Sequence, residues 1–125
     1  MKITASALSL NVADPAASAK FLIDHFGFAE QMSADGFVSL AREDAGFNVI
    51  YLRTGLPTFK PERIAGPAGQ GLLVVFVVED IDTEYERVQQ EGAPIVTPIE
   101  TEPWGERYFQ TVDPNGVIIQ LVQWV

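Results

Sequence analysis

The sequence contains no cysteine and a single histidine, His25. The first absence removes disulfides, thiolate nucleophiles and cysteine-based zinc or iron–sulfur centres. It also fits a reducing cytoplasm. The second leaves one imidazole, beside Gly27, where a surface position or a partner for a helix C-terminus explains it better than metal ligation. Cations are scarce, with 8 Lys and Arg against 17 Asp and Glu. The resulting net charge of −9 repels nucleic acid and anionic membrane surfaces. No apolar run approaches the about 20 residues that span a bilayer. The longest, Leu72 to Val78, reads as a buried strand. Met1-Lys2-Ile3-Thr4 opens without the apolar stretch and cleavage pattern of a signal peptide, so a cytoplasmic location is expected. No Ser–His pair or close carboxylate pair announces a nucleophile with its base.

What is present is a core and a repeat. Hydrophobic residues make up 47% of the 125-residue chain, enough to fill the interior of one domain without a disulfide or structural metal. Leu8, Leu10 and Val12 alternate with Ala7, Ser9 and Asn11, the period of a half-buried strand. Asp14-Pro15 then gives an N-cap and a first-turn proline. A helix follows over Ala16 to Phe26, closed by Gly27. Three short strands are predicted next, over Phe28–Met32, Phe37–Ala41 and Phe47–Leu52, with turn residues between them. Arg53 to Gln70, rich in proline and glycine, reads as a connecting loop.

The second half repeats the order. It reads as a strand over Leu72–Val78, a helix opened by Asp80 and ended at Gly92, and a proline-flanked edge strand over Pro94–Ile99. Two strands over Glu106–Val112 and Val117–Gln123 are joined by Asp113-Pro114-Asn115-Gly116, a sequence suited to tight reversal. Val12-Ala13-Asp14 matches Val78-Glu79-Asp80, and Gly27 matches Gly92. An α+β chain of two tandem βαβββ modules, about residues 1–55 and 70–125 of a single domain, is therefore expected.

Two such modules, with Pro103-Trp104-Gly105-Glu106-Arg107 followed by Asp113-Pro114-Asn115-Gly116, resemble the vicinal-oxygen-chelate superfamily of glyoxalases, bleomycin-resistance proteins and extradiol dioxygenases. The Pro-Trp-Gly-x-Arg run points to the bleomycin-resistance-like branch. The resemblance implies that the two sheets curl into a cup holding the ligand or metal, often completed by a second chain, so a homodimer is expected. It also implies metal ligands at positions that match Ala7, Ile50, Leu73 and Gln120. Three of these residues have no ligating atom, and one amide does not hold a divalent ion. No metal and no other cofactor are expected.

The candidate ligand contacts are then aromatic and polar side chains of the cup. Alternation places Ser9, Val75, Val77, Ile118 and Val122 on the face of Ala7 and Gln120, giving a small, apolar floor. Phe37, at the opening of the strand that also holds Ser39, matches an aromatic of the resistance branch and suits either stacking or the core. Trp104 matches the tryptophan that stacks on the drug in that branch. Phe47 and Tyr51 suit core or pocket equally. Phe59, in the loop, reads as a dimer contact or a lid residue. Arg107 is expected to bridge Glu102 or Glu106, or to meet a ligand carboxylate. Of Tyr108 and Phe109 only one faces the cup, and Tyr108 is chosen. Glu100 and Glu102 are acids near the rim, suited to a cationic ligand. Asp82, Glu84 and Glu86 read as a solvated helix face, and Trp124 as a packing residue.

These residues give a leading expectation of metal-independent binding and sequestration of a small, aromatic molecule such as an antibiotic. The alternatives are a metal-independent lyase or isomerase, with Tyr51, Tyr108 and Arg107 polarising a carbonyl, or a domain that binds no small ligand.

Overall fold

The computed structural model describes all 125 residues and divides into two compact units, Met1–Gln70 and Gly71–Val125. The first contains strand β1 (Ala7–Val12), helix α1 (Pro15–Phe26) and strands β2 (Ala29–Ala34), β3 (Phe37–Ala41) and β4 (Asn48–Arg53). The second contains β5 (Val74–Val77), α2 (Ile81–Gln90), β6 (Ile95–Thr101), β7 (Glu106–Val112) and β8 (Ile118–Trp124). Each unit is a βαβββ module of the α+β class. The sheet orders are β1-β4-β3-β2 and β5-β8-β7-β6, with one parallel pair in each.

Local chemistry explains the helices. Asp14 and Asp80 cap α1 and α2, their carboxylates accepting from Ala17 N and Thr83 N. Pro15 begins α1 with its φ already set for a helix. Along α1, Pro15, Ser18, Ala19, Phe21, Leu22 and Phe26 are buried, the spacing of one helical face. Gly27 ends α1 at φ 67°, and Arg42 reaches back to donate to the Phe26 carbonyl at 2.6 Å. Helix α2 buries only Ile81 and Val88. No helix is long and apolar enough to cross a membrane.

Cross-strand register assigns the two faces of each sheet. Leu8, Leu10 and Val12 share the helix-covered face of the first sheet with Val38, Leu40, Val49 and Tyr51. In the second, Val74, Phe76, Phe109, Thr111, Ile119 and Leu121 form that layer. Burying a side chain such as Phe109 contributes roughly 1.5–3 kcal/mol.

Three expectations change. The Leu72–Val78 run is only partly buried: the strand is Val74–Val77, and Val75 and Val77 are exposed. The connecting segment belongs with the first unit and carries a one-turn 3-10 helix at Glu62–Ile64. Asn11 holds it there, its Nδ2 donating to the carbonyls of Ile64 and Gly66 while Ala68 N donates to its backbone oxygen. Since β1 is an edge strand, the bond from Ala68 also satisfies one of its open backbone carbonyls, that of Asn11. The third change is Trp124, which ends β8 exposed rather than packed.

Candidate functional site

The helix-free faces carry the candidate residues. In the first sheet, Ala7, Ser9 and Asn11 lie across from Asn48, Ile50 and Leu52, and Phe37 and Ser39 continue the rows on β3. Phe37 is half-buried and Ser39 buried. Ser39 Oγ and Asn48 Nδ2 both donate to Gln31 Oε1, at 3.4 and 3.3 Å.

In the second sheet, Val75 pairs with Gln120, Val77 with Val122, Gln110 with Gln120 and Tyr108 with Val122. One face therefore presents Val75, Val77, Tyr108, Gln110, Ile118, Gln120 and Val122 together. Thr97, on β6 opposite Gln110, donates from Oγ1 to Gln110 Oε1 at 2.7 Å. Gln110 Nε2 in turn donates to Gln120 Oε1 at 2.8 Å.

Tyr108 completes this face. Its hydroxyl lies 2.6 Å from Glu100 Oε1 and 2.9 Å from Glu102 Oε1, so two carboxylates share one proton. A phenolate there would face two negative charges, and the tyrosine pKa is raised above its ordinary value, first by the hydrogen bond to Glu100 and then by that to Glu102. The hydroxyl thus stays a donor at neutral pH. The β6–β7 turn that begins at Glu102 carries Trp104, 67% exposed. Gly105 closes it at φ 89°, where a Cβ would lie 2.7 Å from the Val125 carbonyl oxygen.

Several candidates stand elsewhere. Tyr51 is on the helix-covered face and 1% exposed, because its partner is Leu10. Arg107 points to the helix side, where Nη2 meets Asp82 Oδ1 at 2.6 Å and Nη1 donates to Thr101 Oγ1. This pairing replaces the expected bridge to Glu102 or Glu106, and it takes Asp82 out of the purely solvated helix face. It also holds the Asp82 carboxyl below the usual aspartate range. Tyr51 is therefore buried in the core of its own sheet, and Arg107 stands on the opposite face of its sheet from Tyr108. Phe47 precedes β4, half-buried and off the row of Asn48, Ile50 and Leu52. Phe59 is half-buried in the loop, in a turn with Leu56.

The residues missed by sequence reasoning are Gln110, Thr97 and Gln31. They make the helix-free faces more polar than the apolar floor expected. Gln110 was within reach: the Asp113–Gly116 turn fixes the β7–β8 hairpin, and counting back from it sets Gln110 opposite Gln120. Asp113 Oδ1 accepts from Asn115 N and Val117 N, both at 2.9 Å, which locks that turn. Thr97 had no such signal, since the register shifts on both sides of it.

The ligand positions implied by the resemblance do not fit a metal. Ala7, Ile50 and Leu73 offer no donor atom, and the Gln120 amide oxygen is already engaged by Gln110. No three His, Cys, Asp or Glu side chains gather where they could hold an ion.

The model of the glyoxalase/bleomycin resistance protein/dioxygenase superfamily matches residues 4–121. The chain belongs to this superfamily. An uncharacterized protein of Mycobacterium bovis, Mb0911c, is 30% identical over 113 residues, covering 84% of this chain and 74% of that protein. The antibiotic binding protein TnmS3 of Streptomyces sp. CB03234 superposes with a TM-score of 0.75 at 23% identity, over 100% of this chain and 99% of its own. Lactoylglutathione lyase of Agrobacterium tumefaciens gives 0.77 at 18% identity, over 98% and 94%. At these identities the structures share the fold, and that fold carries both a binding protein and an enzyme.

Proposed function

We propose that this protein binds and sequesters a small, planar aromatic molecule without a metal, in the manner of the antibiotic-binding members of its superfamily. The observation that carries this reading is the helix-free face of the second sheet. It combines exposed apolar side chains, Val75 and Val77, with a few oriented polar groups and an exposed tryptophan at its margin. Apolar surface with sparse, fixed polar contacts is the composition of a binding site. Trp104 offers a face for stacking, and Glu100 and Glu102 beside it favour a neutral or cationic ligand. Phe37 and Ser39 are the corresponding candidates on the first sheet.

Chemistry is less well provided for. The acids of this face share the Tyr108 proton, which remains bound, and the unit Gly71–Val125 contains no histidine, cysteine or lysine. A metal-independent lyase or isomerase would lack a poised base here. The same reading expects a cytoplasmic homodimer with no nucleic-acid or membrane partner, in keeping with the net charge of −9.

The test uses chelator-treated protein. Trp104 and Trp124 are the two tryptophans and both are exposed, so Trp124→Phe leaves Trp104 as the sole reporter. Saturable quenching by members of a panel of aromatic antibiotics, at micromolar or lower concentration, is expected. Calorimetry of Trp104→Ala should show affinity weakened about tenfold, near 1.4 kcal/mol. No saturable binding by any of the panel rejects the function; unchanged affinity in Trp104→Ala rejects the place of Trp104 in it.

A further inference from the structure

Asn11 is half-buried on the helix-free face of the first sheet, across from Leu52, and Leu52 in turn lies across from Phe37. The three form one row at the end of that face. A closed loop stands beside it. Gly55 N donates to the Ala65 carbonyl at 2.8 Å, so residues 55–65 leave the sheet and return to one point, as an Ω-loop does. Its inner bonds are its own: Phe59 N to Leu56 O, Ile64 N to Pro61 O and Ala65 N to Glu62 O. Lys60, Glu62 and Arg63 at its tip are exposed.

The tie to the sheet is the Asn11 side chain. Its Nδ2 donates to Ile64 O at 2.5 Å and to Gly66 O at 2.8 Å, the carbonyls on either side of the one that closes the loop. Backbone carbonyls only accept, so the amide nitrogen has to face them, and both of its N–H bonds are used. On the other flank, Leu56 rests on Gly36, just before Phe37: a Cβ on Gly36 would lie 3.2 Å from Leu56 Cδ2. The loop thus abuts both ends of the row. Gly55, at φ 77°, and Gly66 bound its neck, and a Cβ at either would meet nothing, which leaves room for a pivot.

We infer that residues 55–65 are a lid at the end of the helix-free face that carries Leu52 and Phe37, pivoting at Gly55 and Gly66 and latched by Asn11. This rests on the small-molecule reading above, in which Phe37 is a candidate contact, and adds the step by which a planar ligand reaches it. Opening exchanges the two Asn11 bonds for bonds to water and keeps the bonds inside the loop, so it is a local event. Asn11 is a positioning residue: it sets how often the lid stands open.

The chain has no cysteine, so Leu52→Cys places a single thiol at the guarded row of the full chain. The probe is 4,4′-dithiodipyridine, a neutral aromatic disulfide; the thiolate forms a mixed disulfide and releases one thiopyridone, which is read by absorbance. Val96→Cys, at an exposed position of the second unit, is the control. The thiol at position 52 should react more slowly than that at position 96. Adding Asn11→Leu should speed the reaction at position 52 about tenfold, the worth of two hydrogen bonds, and leave position 96 unchanged. Asn11→Asp, nearly the same in shape, turns two donors into acceptors facing two carbonyls and should open the lid at least as far. A purely packing role would leave Asn11→Asp like the parent, and that result overturns the latch. So does an unchanged rate at position 52 in Asn11→Leu, or an equal acceleration at both positions. No saturable binding of the antibiotic panel, with the labelling pattern intact, rejects the binding reading and not the latch.

Discussion

In the first unit, Ser39 and Asn48 direct their hydrogen bonds outward to Gln31, on an exposed edge strand. In the second, Thr97 and Gln110 pass theirs inward to a buried amide. Both units have the same strand order and a capped helix on one face, so the difference lies in side chains placed on equivalent scaffolds. The first unit spends its polar groups on itself: Gln31 receives two donors, and Asn11 holds the Ile64–Ala68 segment. The second joins its polar groups in a row, from Thr97 through Gln110 to Gln120. The cores differ as well. Helix α1 brings Phe21, Leu22 and Phe26 to its sheet, whereas α2 brings Ile81 and Val88, and Phe109 and Ile119 of the strands fill more of the space. A repeated fold thus leaves one unit built around its helix and the other built around its sheet.

The comparison is broken most directly in the cores. Phe109 is fully buried and packs on the Tyr85 ring at 4.9 Å between centroids. Phe109→Ala should cost about 3–5 kcal/mol in urea unfolding, because a lightly buried α2 has little to collapse into the cavity. A loss under about 1 kcal/mol would show that the second core is not centred on this strand.

The next largest contrast lies at the helix ends. Gly27 and Gly92 both have positive φ, so alanine at either should cost about 1–2 kcal/mol. At Gly27 the new Cβ would also lie 2.8 Å from Arg42 Nη1, whereas at Gly92 it meets nothing. Thermal melts should place Gly27→Ala below Gly92→Ala. Equal melting temperatures would mean that Arg42 swings aside and that its bond to Phe26 contributes little.

The smallest effect should be the same in both units. Asp35 in the first and Asp82 in the second are each held below the ordinary aspartate value of 3.8, chiefly by hydrogen bonds from Arg53 and Arg107. A depressed folded-state pKa gives stability that is fully present above the unfolded value and is lost as pH falls through the folded one. Parent protein should therefore hold a slight advantage over Asp35→Asn and Asp82→Asn at neutral pH, vanishing as pH drops below 3.8. Exposed pairs of this kind are weak and screened by salt. An advantage that persisted at the acid end would place its origin outside these ion pairs.

The sequence by itself determined what depends on neighbours along the chain. Asp14-Pro15 to Gly27 gave the first helix, the Asp113–Gly116 turn gave the last hairpin, and the turn residues around them bounded β3 and β7 to the residue. The repeat of these signals was enough for the fold class. Alternation also grouped Val75, Val77, Ile118 and Val122 with Gln120, as the register bears out. Only the tertiary structure decided which strands meet and where long side chains end. It put Tyr51 beside Leu10, sent Arg107 across to Asp82, and joined Thr97, Gln110 and Gln120 into one directed chain. The reason is that strand parity is local but register is not. A bulge such as the one between Glu30 and Met32, or those flanking Thr97, shifts every later pairing, and a shift of one residue turns a side chain to the other face.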